Sequence, residues 1–343
     1  MQSENQATLS NVGVLDEFQT ELVEFWRRLP NKAFFFTLLA AWLALFQFVG
    51  NPVMGYVKTS SLYAWMMEAY TSPNPVAEND RHGPLIPFLV LGLMWWKRRE
   101  LMSVPPRVWP PALIVVVGAL ALHSVAYVAQ QPHFSIVALF AGIYGLMGLA
   151  WGWHWMIRSF FPFILFVFSV PLGNRSDFIT VPLRHLVSWL VEKVCSYGLG
   201  IDVIRMGNLL FDPTGSYQYE IAAACSGIRS LVVIFLISTL YAFVFFRSPW
   251  RRLVMIALAV PMAVLGNLLR MLCIVIAAAI GGQEWGNAVH DGSISSLLPY
   301  VPAIMGVFIV GRYLEDMEAR AMATAPASSG APAEPRDSGK AGI

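Results

Sequence analysis

Leu253 to Gly282 reads LVMIALAVPMAVLGNLLRMLCIVIAAAIGG, thirty residues holding a single charge, Arg270. A helix needs about 20 apolar residues to cross the roughly 30 Å of bilayer hydrocarbon. This stretch is longer than one crossing, and Pro261, Asn267 and Arg270 interrupt it. The pattern predicts a seventh membrane helix ending near Arg270, followed by a half-span or interfacial segment. Outward from it, further spans are expected from Ala33 to about Pro52, Pro84 to Trp96, Pro110 to about Ala129, Ser135 to Trp153, Ile157 to Leu172, Ser226 to Phe246 and Ser293 to Val310. The expected fold is an all-α polytopic membrane protein of about eight transmembrane helices.

Composition agrees with that solvent. Of 343 residues, 57% are apolar and 13% charged, and the mean hydropathy is +0.58. A soluble domain is about 45 to 50% apolar and about 25% charged, which argues against a water-soluble enzyme and a disordered chain. A net charge of +2, from 23 basic and 21 acidic side chains, offers no electrostatic footprint for nucleic acid. Cys195, Cys225 and Cys273 lack paired spacing and a nearby His cluster. No disulfide scaffold, metal site or other cofactor is implied. The acidic residues of the first thirty, without an apolar core, argue against a cleavable signal peptide.

Three segments are expected outside the spans. Residues 1–32 read as an amphipathic N-terminal segment with Val14, Leu15, Phe18, Leu22 and Phe25 as its apolar stripe, suited to a membrane surface. Residues 33–312 form the transmembrane domain, and 313–343 a tail whose Ala, Pro, Ser and Gly content from 321 onward predicts disorder. Inside the domain, residues 173–224 form a loop. Leu183, Leu186, Val187, Leu190 and Val194 mark an interfacial helix, and Gly207 to Tyr219 reads as short strands about a turn at Asp212, Pro213 and Gly215.

Basic residues set the expected orientation. With the N-terminus inside, Arg27, Arg28 and Lys32, then Lys97, Arg98, Arg99 and Arg107, then Arg247, Arg251 and Arg252 gather in the cytoplasm. Both termini are then cytoplasmic, in an inner or plasma membrane. The 173–224 loop, Cys225, Arg270 and His290 meet at the extracytoplasmic face.

Those residues are the candidates for chemistry. Cys225, in AAACSGIRS, opens the sixth span. It reads either as a small apolar residue at a helix start or as a thiolate favoured by the exposed amides of Ser226 and Gly227. Arg229 lies one turn deeper on the same face. Arg270 carries a burial cost of about 2.5 to 3.5 kcal/mol within a span. It either snorkels to the interface or meets an anionic partner, and Asn267 adds a polar group one turn earlier. His290, in AVHDGS, is a polar loop residue or a general acid and base. His82, in DRHGPLIPF, caps the second span or faces the same pocket.

RHGPLIPFLVLGLMWWKRR, GIDVIRMGNLLF, ACSGIRSL, NLLRM and HDG, in this order from about residue 80 to 310, resemble the exosortase/archaeosortase family of membrane transpeptidases. The resemblance implies a membrane-embedded cysteine peptidase whose Cys225, Arg270 and His290 are catalytic. Its implied partner is a membrane-anchored exported protein bearing a C-terminal sorting signal: a motif such as Pro-Glu-Pro, a membrane helix and a basic cluster. Arg229, Ser226, Gly227, Asn267 and His82 would support the site. Family members often carry a Glu two residues before the Cys; this chain has Ala223 there, with Glu220 further back. Two readings of other classes stand beside it: a transporter or channel with Arg270 at an anion site, and a non-catalytic secretion scaffold. Oligomeric state is not legible.

Overall fold

A computed structural model of the chain describes residues 2–52, 58–72, 80–172, 177–220, 228–291 and 300–324. Helix α1 (Gln2–Arg28) is followed by α2 (Lys32–Phe48), α3 (Leu62–Thr71), α4 (Ile86–Trp96) and α5 (Arg98–Met102). Then come α6 (Leu113–Val128), α7 (Pro132–Trp151), α8 (Trp153–Ile164) and α9 (Asp177–Lys193). Three short strands, β1 (Ile204–Met206), β2 (Leu209–Phe211) and β3 (Gln218–Glu220), precede α10 (Ile228–Phe245), α11 (Pro249–Asp291) and α12 (Val301–Thr324). The protein is an all-α membrane protein with one small sheet.

Among the described residues, three helices are long and apolar enough to cross a membrane: Pro110–Val128, Pro132–Trp151 and Pro249–His290. The pair Asp16–Arg28 and Lys32–Phe48, bent by 93°, makes a fourth if it counts as one span. This falls short of the expected eight, for visible reasons. Gly83–Trp96 and Leu231–Phe245 are apolar but shorter. The expected fifth span divides into α8, with Pro162 inside it, and a 3₁₀ turn at Leu165–Ser169. The eighth is described from Val301, with residues 292–299 outside the description, and carries Arg312, Glu315, Asp316 and Glu318 along its second half.

The seventh helix also departs from expectation. It runs through Pro261, Asn267 and Arg270 and breaks only at Gly281 and Gly282, where Gly282 adopts φ 73°. A proline inside a helix removes one backbone hydrogen bond, and the unbroken apolar run from Met271 to Ile280 carries the helix onward. Adjacent glycines stop it, because only glycine takes a positive φ without steric cost. At the C-terminal end, α12 stays helical to Thr324, so residues 313–324 are not the disordered tail expected. Glu318, 7% exposed, pairs with Arg251 at 3.2 Å and accepts from the Ser248 N–H at 3.2 Å. Those bonds fasten α12 to the α10–α11 turn.

Two packing centres share α11. On one side, Ile234, Tyr241, Ala242 and Phe246 of the α10 region meet Met255, Ala259 and Ala263 of α11, and Ala303 and Val307 of α12. On the other, Met271, Ile274, Val275 and Ala278 of α11 meet Val187 and Val191 of α9, Cys195, and Val203, Leu210, Tyr217 and Tyr219 of the sheet region. The buried face of α9 is thus Val187, Ser188 and Val191, continuing to Cys195, while Leu186 is exposed and Leu183, Leu190 and Val194 are half-buried. The expected stripe is rotated by part of a turn, because α9 docks on α11 and the sheet rather than resting its whole apolar side on lipid. The N-terminal helix also finds a protein partner: the Phe18 and Phe25 rings meet Trp95 of α4 edge-on at 5.1 and 5.9 Å.

The sheet is antiparallel in the order β1-β2-β3, with Met206 opposite Leu209 and Leu210 opposite Tyr219. Gly207, at φ 64°, and Asn208 make the first turn; such two-residue hairpins require positive φ. The expected second turn is present. Asp212 accepts from the Thr214 hydroxyl and from the N–H groups of Thr214 and Ser216, and Gly215 sits at φ 79°. The Thr214 hydroxyl, with help from Ser216, holds the Asp212 carboxyl below its ordinary pKa.

A third centre joins α2, α3, α6 and α7. There Trp42 donates to the Leu139 carbonyl at 3.0 Å and its indole fills the gap left by Gly142. Small residues that let membrane helices approach closely are a main source of packing energy in lipid. Gly142→Ala, whose methyl would overlap the Trp42 ring, is expected to lose about 1 to 3 kcal/mol. Gly118→Ala meets nothing within 4 Å and should be neutral or gain up to about 1 kcal/mol. Thermal unfolding in a single detergent checks both, and equal behaviour would contradict the packing.

A second expectation concerns pH. Burial pushes the Cys195 thiol from 9.0 up to about 11. The folded pKa is raised, so the buried neutral thiol contributes fully below about pH 9, and that contribution is lost as pH rises through 11. The unfolding temperature should fall across this window, and less steeply in Cys195→Ala. A slope unchanged by the substitution would contradict the assignment.

Candidate functional site

The break in α11 redirects its last turns. After Gly282 the chain continues as a short helical arm ending at Asp291. On this arm, a methyl at Gly286 would overlap the Tyr219 hydroxyl and come within 2.9 Å of the Ala278 Cβ. The arm therefore folds back along α11 and against β3. Val289 packs into the cluster formed by α9, the sheet and α11. His290, half-buried, follows one turn beyond Gly286.

Side-chain amides fasten this arm to the sheet. The Gln218 backbone N–H donates to Gln283 Oε1 at 2.8 Å, and Gln283 Nε2 reaches back to the Gln218 carbonyl at 3.4 Å. Gln283 Nε2 also donates to Asn287 Oδ1 at 3.1 Å. The Tyr219 hydroxyl lies 3.1 Å from the Gln283 carbonyl and 3.2 Å from Asn287 Oδ1. Since β3 is an edge strand, Gln283 meets the outer backbone groups of Gln218 much as a fourth strand would. The strand held in this way leads directly into residues 221–227, the stretch containing Cys225.

Fourteen and eleven residues before Gly281, α11 carries the other polar candidates, Asn267 and Arg270. Asn267 is 2% exposed, and neither Nδ2 nor Oδ1 has a hydrogen-bonding partner among the described residues. Arg270 is half-buried. Its Nη1 donates a long bond of 3.4 Å to the Tyr300 hydroxyl, and its buried Nε has no partner among the described residues. Among the described residues no carboxylate pairs with it. Tyr300 is held in place by close approach to Gly266, where a methyl would come within 2.8 Å of its ring and 3.2 Å of Ala303. A buried polar group left unpaired costs about 1 to 3 kcal/mol, more when charged. This turn of helix therefore stores an unmet demand for hydrogen bonds on an otherwise apolar element.

The remaining predicted residues are distributed as follows. Cys225, Ser226 and Gly227 lie outside the described residues, and Arg229 belongs to the first turn of α10, with its side chain likewise outside description. His82 stands at the start of the 3₁₀ turn Gly83–Leu85, where its carbonyl accepts from the Leu85 N–H at 3.0 Å. Its corner is built from Gly83 against the Tyr70 ring, Ser169 Oγ bonded to the Gly83 carbonyl, and Asp80 Oδ1 accepting from the Leu172 N–H at 3.1 Å. These contacts join the turn that carries His82 to α3 and the 165–172 segment.

Sequence reasoning passed over Tyr300, Tyr219, Gln283 and Asn287. Gln283 and Asn287, four apart on the turn before His290, were the available signal, since that spacing puts both amides on one helical face.

Residues 71–308 match the family profile of the transmembrane exosortases (Exosortase_EpsH). No curated protein and no solved structure matches the chain. With 238 of its 343 residues inside the match, the chain belongs to the transmembrane exosortase family.

Proposed function

We propose that this exosortase is a membrane-embedded cysteine transpeptidase or protease that cleaves C-terminal sorting signals of exported proteins. Cys225, Arg270 and His290 would carry the reaction. The observation that supports this best is the register of the α10–α11 hairpin. Arg252 covers the Phe243 ring at 4.8 Å and donates to the Phe246 carbonyl at 2.9 Å, fixing which turns lie side by side. Both helices rise about 1.5 Å per residue. Fifteen residues back from Phe243 is Ile228, the first residue of α10, and fifteen forward from Arg252 is Asn267, one turn from Arg270; Cys225, three residues before Ile228, lies outside the described residues. The register thus favours, to within about one turn, the start of α10 beside Asn267 and the Arg270 guanidinium, which pairs with no carboxylate among the described residues, and the chain entering α10 there carries Cys225.

The arm supplies the third group. Gly286 against Ala278 sets the fold-back, and an antiparallel return carries His290 four residues onward while α11 is read four residues back, towards Arg270. The clamp on β3 keeps that arm beside the strand that precedes Cys225. These contacts support the reading that Arg270, His290 and the chain leading to Cys225 work at one site.

In the proposed reaction the Cys225 thiolate attacks the carbonyl carbon of the scissile peptide. A C–S bond forms, and Arg270, with the amides of Ser226 and Gly227, stabilises the oxyanion. Protonated His290 gives its proton to the departing amine as the C–N bond breaks, leaving a thioester. The same imidazole then takes a proton from the incoming amine or water as its nitrogen or oxygen bonds to the thioester carbonyl carbon; the C–S bond breaks, the Cys225 thiolate leaves, and the new amide or the free acid is released.

The orientation proposed with it places both termini in the cytoplasm and the sheet outside. The short apolar helices Gly83–Trp96 and Leu231–Phe245, α8 with its following turn, and α12 complete the crossings, with local thinning of the bilayer. His82 and Arg229 would then flank the site from the outer ends of their helices.

A substitution panel tests this reading with an exported reporter bearing a motif, membrane helix and basic-cluster tail. Cys225→Ala should leave the reporter uncleaved, and Arg270→Ala should slow cleavage about 10²- to 10³-fold, the usual effect of losing an oxyanion donor. Cys195→Ala and Cys273→Ala should process normally. Normal cleavage by Cys225→Ala would overturn the mechanism.

A further inference from the structure

Asn267 occupies a seam. Ala263, one turn before it, packs with α10 and α12, whereas Met271, one turn after it, packs with α9 and the sheet. Residues 221–227, which join β3 to α10, lie outside the described residues. Buried carboxamides are almost always hydrogen-bonded, yet both polar atoms of Asn267 are unpartnered among the described residues at 2% exposure. Such an orphan points to a partner that arrives.

Its chemistry says which kind. A carboxamide offers two N–H donors and a carbonyl acceptor, the complement of a backbone peptide group. A simple anion would use the donor alone and meet the carbonyl oxygen unfavourably. The protein already contains the same recognition in another place, where the Gln283 carboxamide joins the N–H and C=O of Gln218. On the proposed register, Asn267 also lies one turn from Arg270 on the same helix face.

We propose that Asn267 reads the backbone of the substrate peptide next to the scissile bond, with Nδ2 donating to a peptide carbonyl and Oδ1 accepting from a peptide N–H. This rests on Cys225 and Arg270 acting on a peptide at that depth. It adds that the enzyme recognises the extended backbone of its substrate there, independently of side chains, and that the resting protein gives up stability to keep the reader empty.

Asn267→Leu in the full-length protein, purified in detergent, separates these roles. The unfolding temperature should hold or rise, because an orphaned polar group is replaced by an apolar one of similar size. The alkylation rate of Cys225 should be unchanged, while cleavage of the tailed reporter falls at least about tenfold. Asn267→Asp, which keeps an acceptor and loses the donor, should also lose cleavage. A lowered unfolding temperature, or failure of Asn267→Leu to fold, would make Asn267 a structural residue and overturn the proposal. Normal cleavage by Asn267→Leu alongside an inactive Cys225→Ala would overturn it while leaving the catalytic reading intact. Normal cleavage by Cys225→Ala would remove both.

Discussion

A bilayer offers no hydrogen bonds, so every backbone group at membrane depth must be satisfied within the protein. The break at Gly281 and Gly282 is where this chain meets that constraint most directly. Two glycines free the helix from its own ladder, and the arm that follows is received by protein: Gln283 on the Gln218 backbone, Asn287 and Tyr219 on one another. The small sheet is needed for that reception. Without it the arm would have no edge to bind, and β3 would have nothing to hold its outer side. α9 completes the arrangement by closing the far face of the sheet with Val187, Val191 and Cys195.

α11 is therefore two things at once. Its first half is a membrane helix packed between α10 and α12, and its second half is a platform for the sheet, α9 and the returning arm. The polar turn at Asn267 and Arg270 lies where these two uses meet. Tyr300 gives Arg270 a weak contact, a bond too long to satisfy a guanidinium. In a stable structural element such groups would be paired or replaced by apolar ones. Among the described residues they stay unsatisfied on this helix, which is why the turn figures in the proposed site.

Much of this was readable from the residues. The apolar runs identified the solvent, and the Asp212–Gly215 turn and its flanking strands were legible because turn chemistry is local. Arg270 was conspicuous because a charge in an apolar stretch needs explaining. What escaped reading depended on tertiary partners. The buried side of α9 is decided by α11 and the sheet, which leaves Leu186 exposed despite its place in the stripe. The end of α11 was misplaced because Asn267 and Arg270 look like interruptions, although neither breaks a helix; the two glycines do. The helicity of 313–324 was missed because Glu318 owes its role to Arg251 and Ser248, almost seventy residues away. His82 was read either as a cap of the second span or as a supporting residue, and it stands at the start of the Gly83–Leu85 turn.

The central claim, put forward as a proposal, is that the Cys225 thiol meets the Arg270 guanidinium of α11 and the His290 imidazole of the returning arm. Cysteine cross-linking tests it most directly. In protein lacking Cys195 and Cys273, Cys225 is paired in turn with Arg270→Cys and with His290→Cys, and disulfide formation is driven by a mild oxidant in membranes. A disulfide requires Cα atoms within about 7 Å. The account predicts that both pairs form, or are bridged by the shortest bifunctional reagents, while Cys225 paired with Gly118→Cys on α6 does not. Absence of cross-linking in both test pairs, with Cys225 still open to alkylation, would contradict it.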